Sequence, residues 1–347
     1  MFGTGGGTTL IVSADAGLGK TTLIKKFISD NYEDSERKII SGYGYCINMN
    51  GSTRSYFPWI ESIIELDTNL LTLNYLHGSV EKSNDYKKII KTAFDGTGTD
   101  WIKSIPQIGN ISALIYKTIK DLKKGFDVQE ASKEIKKISE GISFNNTNDL
   151  FAAITVKLRS LSEKYPIIIF IDDLQWMDIS SRDLFFYLSK SIKDNPFPLL
   201  LIGAYNTDEL YENDNEEKEN RVNGHLKELI SNLKKFRSAE FITVNPFDSK
   251  QFNDYINKTY PSNKFADKFL KRIDDITDGN IFFLKQTLDN LEEESIIYKE
   301  SGLFLNKDVD EYYRLPATIN DAILEKWEKL PDEQRNHIKY YFINYSS

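Results

Sequence analysis

Two short runs in this chain are apolar at nearly every position, and each ends abruptly in polar residues. Thr9-Leu-Ile-Val-Ser-Ala14 breaks into a Gly-rich turn, and Ile167-Ile-Ile-Phe-Ile171 ends in Asp172-Asp173. A third, Pro198 to Tyr205, is almost wholly apolar. Such runs lack the alternation of a half-exposed strand, so they predict strands of a parallel sheet covered on both faces. Between them the period is helical. The pattern predicts a strand over 8–14, a helix over 20–30, a strand over 38–48 and a helix over 57–66 after Pro58. It then predicts a helix over 149–164 capped by Asn148, a strand over 167–172 and a helix to about 193 capped by Ser180. A strand over 198–205, a helix over 224–235 and a short strand over 239–244 follow. Residues 80–141 are Lys-rich with helical spacing (Ile111, Leu114, Ile115, Ile119, Leu122) and read as a helical insertion, punctuated by the Gly-rich segment 95–100.

The pattern changes after Pro246. Helices are expected near 248–258, 263–275 and 281–293, then a hairpin over 296–305 turning at Ser301-Gly302, then two helices flanking Pro331. The fold class is therefore α/β: a parallel β-sheet sandwiched by helices, followed by a mostly helical lid. The domain reading is a core over 1–245, a lid over 246–315, and the start of a further helical or winged-helix region over 316–347, apparent as a truncation.

Composition narrows the function. The chain has 347 residues and a net charge of −8. That balance disfavours nucleic acid and anionic membranes as partners. The apolar runs are strand-sized and no leader pattern opens the chain, so neither a membrane span nor a signal peptide is expected. One cysteine, Cys46, and three scattered histidines exclude a disulfide framework and a zinc site, and suggest a reducing, cytoplasmic setting.

The chemistry lies at the ends of the apolar strands. Ala14-Asp15-Ala16-Gly17-Leu18-Gly19-Lys20-Thr21-Thr22 reads as a phosphate-binding loop. Its glycines let backbone N–H groups turn toward phosphates, and the following helix adds its N-terminal dipole. Lys20 reaches the β- and γ-phosphates, and Thr21 ligates Mg²⁺. Asp172 at its strand end is the second candidate, a carboxylate that can hold Mg²⁺ through water, and Asp173 is placed to polarise an attacking water. Asn206, after the strand expected beside the acidic one, is the candidate facing the γ-phosphate. Loop and carboxylates together point to ATP or GTP with Mg²⁺.

Five segments in this order carry a family resemblance: Ala16-Gly-Leu-Gly-Lys-Thr21, Asp172-Asp-Leu-Gln-Trp-Met-Asp178, Leu200-Leu-Ile-Gly-Ala-Tyr205, Gly279-Asn-Ile-Phe-Phe-Leu284 and Arg314-Leu-Pro-Ala-Thr-Ile-Asn-Asp-Ala-Ile323. Together with Tyr56-Phe-Pro-Trp59 they resemble the origin-recognition-complex-like AAA+ ATPase module, which recurs in STAND signalling ATPases, transcriptional activators and cyclase-associated domains. The resemblance implies ATP and ADP as ligands, Mg²⁺ as cofactor, and other domains or proteins of a signalling assembly as partners, with a homo-oligomer open. The chain departs from the family pattern at Ala14, where the loop has Gly, at Asn206, where an arginine is common, and at Ile281, where the lid has Pro. The family's upstream Gly-Arg element has no room before the first strand, so the chain reads as an excerpt of a larger protein or a shortened relative. Two functions stay open: a slowly hydrolysing regulatory ATPase acting as a conformational switch, and a nucleotide-binding scaffold that has lost hydrolysis. A DNA-associated ATPase ranks below both on charge, and a small-molecule kinase lacks a pocket of clustered Arg or His.

Overall fold

A computed structural model of the chain describes residues 6–34, 38–47, 55–76, 147–208 and 222–307, together with 327, 330, 331, 334 and 335. The expected insertion over 80–141, most of residues 208–223 and most of the last two helices fall outside the described residues. The described elements run β1 (Thr8–Ala14), α1 (Lys20–Asp34), β2 (Ile40–Tyr45), α2 (Phe57–Leu76), α3 (Thr147–Ser162), β3 (Ile167–Asp172), a 3₁₀ turn (Leu174–Trp176), α4 (Ile179–Asp194), β4 (Leu199–Asn206), α5 (Val222–Phe236), β5 (Glu240–Thr243), α6 (Ser249–Thr259), α7 (Asp267–Thr277), α8 (Ile281–Glu293), β6 (Ile297–Glu300) and β7 (Leu303–Asn306).

Contacts divide the chain into two compact units, Met1–Ser13 with Thr21–Ile242, and Ala14–Lys20 with Thr243–Ser347. The first holds a five-stranded sheet in the order β2-β3-β4-β1-β5. β2 pairs with β3 and β3 with β4, both parallel. Every residue of β3 is buried, as is β4 up to Tyr205. β4 lies between β1 and β3, so the connections leave the centre of the sheet in opposite directions. In open α/β sheets the carboxyl ends of strands at such a switch point form the ligand crevice.

The edge strand β2 is closed by α2 in an unusually close fit. A Cβ on Gly42 would lie 2.0 Å from the Ser62 carbonyl oxygen, and one on Gly44 would lie 1.9 Å from that of Pro58. Only glycine admits the helix backbone at this distance. Three helix residues then meet the outward-facing edge of the strand. The Glu61 carboxylate accepts from the Tyr45 N–H at 3.4 Å, the Glu65 carboxylate accepts from the Tyr43 N–H at 2.8 Å, and the Asn69 amide donates to the Ser41 carbonyl at 2.7 Å. The spacing explains the match. Four helical residues advance about 6 Å, close to the roughly 6.6 Å of two strand residues. Trp59, fully buried, donates from its indole N–H to the Ser181 carbonyl at 3.0 Å and so ties α2 to the start of α4.

Two local expectations change. α3 begins at Thr147, so Asn148 lies inside the helix rather than capping it. α4 begins at Ile179 and its cap is Asp178, whose carboxylate accepts from the Ser181 N–H at 3.0 Å; Ser180 is already within the first turn. Aspartate accepts more strongly than a serine hydroxyl, which decides the boundary.

The second unit has its own core, built from Phe252, Ile256, Phe269, Ile273, Leu284, Leu288 and Leu291 of three helices with Ile297 of the hairpin. Asp248 and Gln251 form a reciprocal capping box at the start of α6. β6 and β7 pair antiparallel, turning at Ser301 and Gly302.

Candidate nucleotide site

Within the second unit, the Gly-rich loop is a turn held from its carbonyl side. Gly17 and Gly19 sit at φ +81° and +80°, the left-handed region that disfavours any side chain. The Leu18 N–H donates to the Asp15 carbonyl at 3.5 Å, and the Leu18 side chain is buried and anchors the tip. Asp15 and Ala16 are exposed, and Lys20 opens α1. The Ala16 carbonyl accepts from the Asn280 side-chain amide at 2.9 Å, and the Gly17 carbonyl accepts from the Phe282 N–H at 3.0 Å. Asn280 is also the cap of α8, its Oδ1 accepting from the Phe283 N–H at 3.0 Å. A side chain at Gly17 would collide with Asn280, whose Oδ1 lies 2.6 Å from the Cβ position. Ile281 contacts the loop at Gly19, its Cγ2 lying 3.5 Å from the Cβ position there. Of the Phe282-Phe283-Leu284 cluster, Phe283 and Leu284 are buried and Phe282 is exposed.

Within the first unit, Asp172 ends β3 with 3% exposure. Its Oδ1 accepts from the Asp173 N–H at 3.0 Å. Its Oδ2 accepts from the Thr21 hydroxyl at 2.7 Å and, more loosely, from the Tyr43 hydroxyl at 3.4 Å. Burial, followed by the Asp172 and Asp173 charges, pushes the Tyr43 phenol well above its ordinary value, so this hydroxyl stays a donor. Lys25 stands 4.0 Å over the Tyr43 ring. Thr22 points to solvent.

These oxygens suit Mg²⁺. Two adjacent ligands of an octahedral ion at about 2.0–2.1 Å sit roughly 2.9 Å apart, close to the Thr21–Asp172 spacing. Among the described residues there is no cluster of three or more His, Cys, Asp or Glu that could form a protein cage for a metal. One carboxylate and one hydroxyl are the donor set expected for an ion that takes its other ligands from phosphate and water.

The carboxyl ends of β3 and β4 are joined. Asp173 adopts φ +56° and ψ +47° and leads into the 3₁₀ turn. Its Oδ1 accepts from the Gln175 side-chain amide at 3.0 Å, and the Gln175 Oε1 accepts from the Asn206 N–H at 3.2 Å. The Asn206 side chain accepts from the Asp208 N–H at 3.2 Å and so caps its own loop. Gln175 and Tyr43 are the two site residues that reading the sequence missed. The Asp-Asp-Leu-Gln-Trp segment carries the family resemblance as a whole, but only its carboxylates are given a chemical role from sequence, and Tyr43 reads as an ordinary strand aromatic.

Residues 2–202 match the family model of the AAA ATPase domain. The chain belongs to the AAA ATPase family. It is an AAA+ P-loop ATPase module, of a family that binds nucleotide, usually with Mg²⁺. Among solved structures, this AAA ATPase domain is similar to Cdc6p from Pyrobaculum aerophilum, with 14% identity and a TM-score of 0.34 over 83% of this chain and 57% of that one. The chain thus spans little more than half the length of that structure. A comparison with curated proteins returned no match.

One departure in the AAA ATPase loop has a plain cause. Ala14 is the last residue of β1 and is 1% exposed, part of the strand rather than the turn. Its methyl group fills core space, and the left-handed positions are Gly17 and Gly19. No described helix of the domain is long and apolar enough to cross a membrane.

Proposed function

We propose that this module binds Mg²⁺–ATP through the loop 14–22, hydrolyses it slowly, and uses the ATP and ADP states as a conformational signal for other domains or proteins. Lys20 binds the β- and γ-phosphates, and the N–H groups of the Gly-rich turn bind the phosphate oxygens. Thr21 and Asp172 hold Mg²⁺, which when bound neutralises charge on the phosphates. Asp173 polarises the attacking water, and Asn206 lies at the γ-phosphate end. The observation that carries this reading is the 2.7 Å bond between the Thr21 hydroxyl and Asp172 Oδ2. It brings together two oxygens that the sequence separates by 151 positions, at a spacing suited to one small divalent ion.

The test is calorimetric titration of ATP with and without Mg²⁺, joined to steady-state phosphate release. Mg²⁺-enhanced binding with slow release supports the reading. Binding that ignores Mg²⁺ sinks it.

A second reading, a scaffold that binds ATP without turning it over, has an observation in its favour. The Asn206 amide oxygen is engaged with the Asp208 N–H. Phosphate release distinguishes the two.

A further inference from the structure

We infer that Gln175 is a positioning residue, a two-ended link that holds the Asp173 carboxylate in register with the end of β4. The inference rests on the proposed hydrolytic role of Asp173 for its consequence, but not for its existence.

The chemistry of the two partners fixes which way the amide points. Asp173 presents a carboxylate oxygen and accepts only, so the Gln175 group facing it is the NH₂. The Asn206 N–H donates only, so the Gln175 group facing it is the carbonyl. Each end of one side chain is thereby assigned, at 3.0 and 3.2 Å. Gln175 is 3% exposed, so breaking either bond strands a polar group of its buried side chain.

The backbone holds the link in place. Gly203, three residues before Asn206, leaves the space that Leu174 fills: a Cβ there would lie 2.6 Å from Leu174 Cδ1 and 2.9 Å from Phe185 Cζ. Leu174 is 1% exposed and seats the 3₁₀ turn flat on β4. The turn closes with the Trp176 N–H on the Asp173 carbonyl at 2.9 Å and the Met177 N–H on the Leu174 carbonyl at 3.1 Å. Asp173 leads into the turn with a left-handed backbone, and the Gln175 amide bonds its carboxylate there. The same side chain links that carboxylate to the Asn206 N–H.

Two variants separate this link from simple packing. Gln175→Met keeps the volume and loses both bonds. Gln175→Glu keeps the shape and the acceptor for Asn206 but loses the donor to Asp173. Both should bind Mg²⁺–ATP within about twofold of wild type while kcat falls about 10- to 100-fold, the scale of a small misplacement of a reacting group. A side chain that only packs would leave the Gln175→Met kcat unchanged, and that result overturns the proposal. A measurement that does not depend on turnover uses Asp173→Asn in the otherwise native chain. Removing that charge should shift the Asn206 amide resonance in ¹⁵N–¹H spectra, because Gln175 carries the change across. An unmoved Asn206 resonance overturns the link even if either Gln175 variant fails to fold. A wild type that binds ATP and releases no phosphate overturns the hydrolytic reading instead, and the amide shift still decides the link.

Discussion

Asn280 donates its side-chain amide to the carbonyl oxygen of Ala16, 264 positions earlier, while its own Oδ1 caps α8. One residue thus starts a helix and holds the back of the phosphate loop. Asn280→Ala should lower stability by about 1 kcal/mol, the usual loss on removing a cap. It should also weaken ATP binding, because the loop loses the bond from Asn280 to the Ala16 carbonyl. Asp248→Ala is the control: it removes a cap from α6 in the same unit without touching the loop. Thermal melts should show similar losses for both variants, and calorimetry should show weaker ATP binding for Asn280→Ala alone. Equal ATP affinity in the two would show that the Ala16 contact does not shape the loop.

Lys20→Ala should remove most nucleotide binding. A charge-assisted bond to phosphate contributes about 1.5–3 kcal/mol, or roughly a 10- to 150-fold loss of affinity. Unchanged affinity by calorimetry would make the loop a structural turn only.

The two aspartates should separate. Asp172→Asn and Thr21→Ala should weaken binding of Mg²⁺–ATP more than of free ATP, since each removes an oxygen from the pair at 2.7 Å. Asp173→Asn should leave binding intact and reduce phosphate release. Loss of binding in Asp173→Asn as complete as in Asp172→Asn would contradict this division.

Glu61 gives a pH prediction. Burial pushes its carboxyl up to about 7, partly offset by the bond from the Tyr45 N–H. The folded-state value lies above the unfolded one, so the native chain holds the proton more tightly between the two. The stabilising contribution is complete below about pH 4.3, where both states are protonated. It is lost as pH rises through 7. Glu61→Gln keeps an acceptor for Tyr45 and carries no charge. It should be more stable than wild type at pH 8 by roughly 1 kcal/mol, a figure reduced for partial exposure, and the gain should vanish toward pH 5. Urea titrations at the two pH values measure it. A gain that grows as pH falls would show the sign to be wrong.

The sheet was legible where burial is complete on both faces. β3 and β4 are apolar nearly throughout and β1 is apolar at its centre, and the loop and paired aspartates stand at the carboxyl ends of β1 and β3. Helix ends were less legible. The pattern predicts α2 only to Leu66, yet it runs to Leu76. Asn69 belongs to the helix because it bonds the edge of β2, a tertiary partner that local sequence does not announce. Gln175 is the same case within the site: its two partners lie on different strands' ends, and no periodicity encodes them.

The pairing of β2 with α2 has a kinetic consequence. The N–H groups of Tyr43 and Tyr45 are covered by carboxylates of the helix and not by another strand, and Gly42 and Gly44 leave no side-chain cushion between the two backbones. Both acceptors sit on α2, so the two amides are released together when the helix lifts away. In hydrogen–deuterium exchange they should therefore open together with α2 as one cooperative unit, apart from the slower amides of β3, so that the flank of the sheet nearest Asp172 carries its own local unfolding clock.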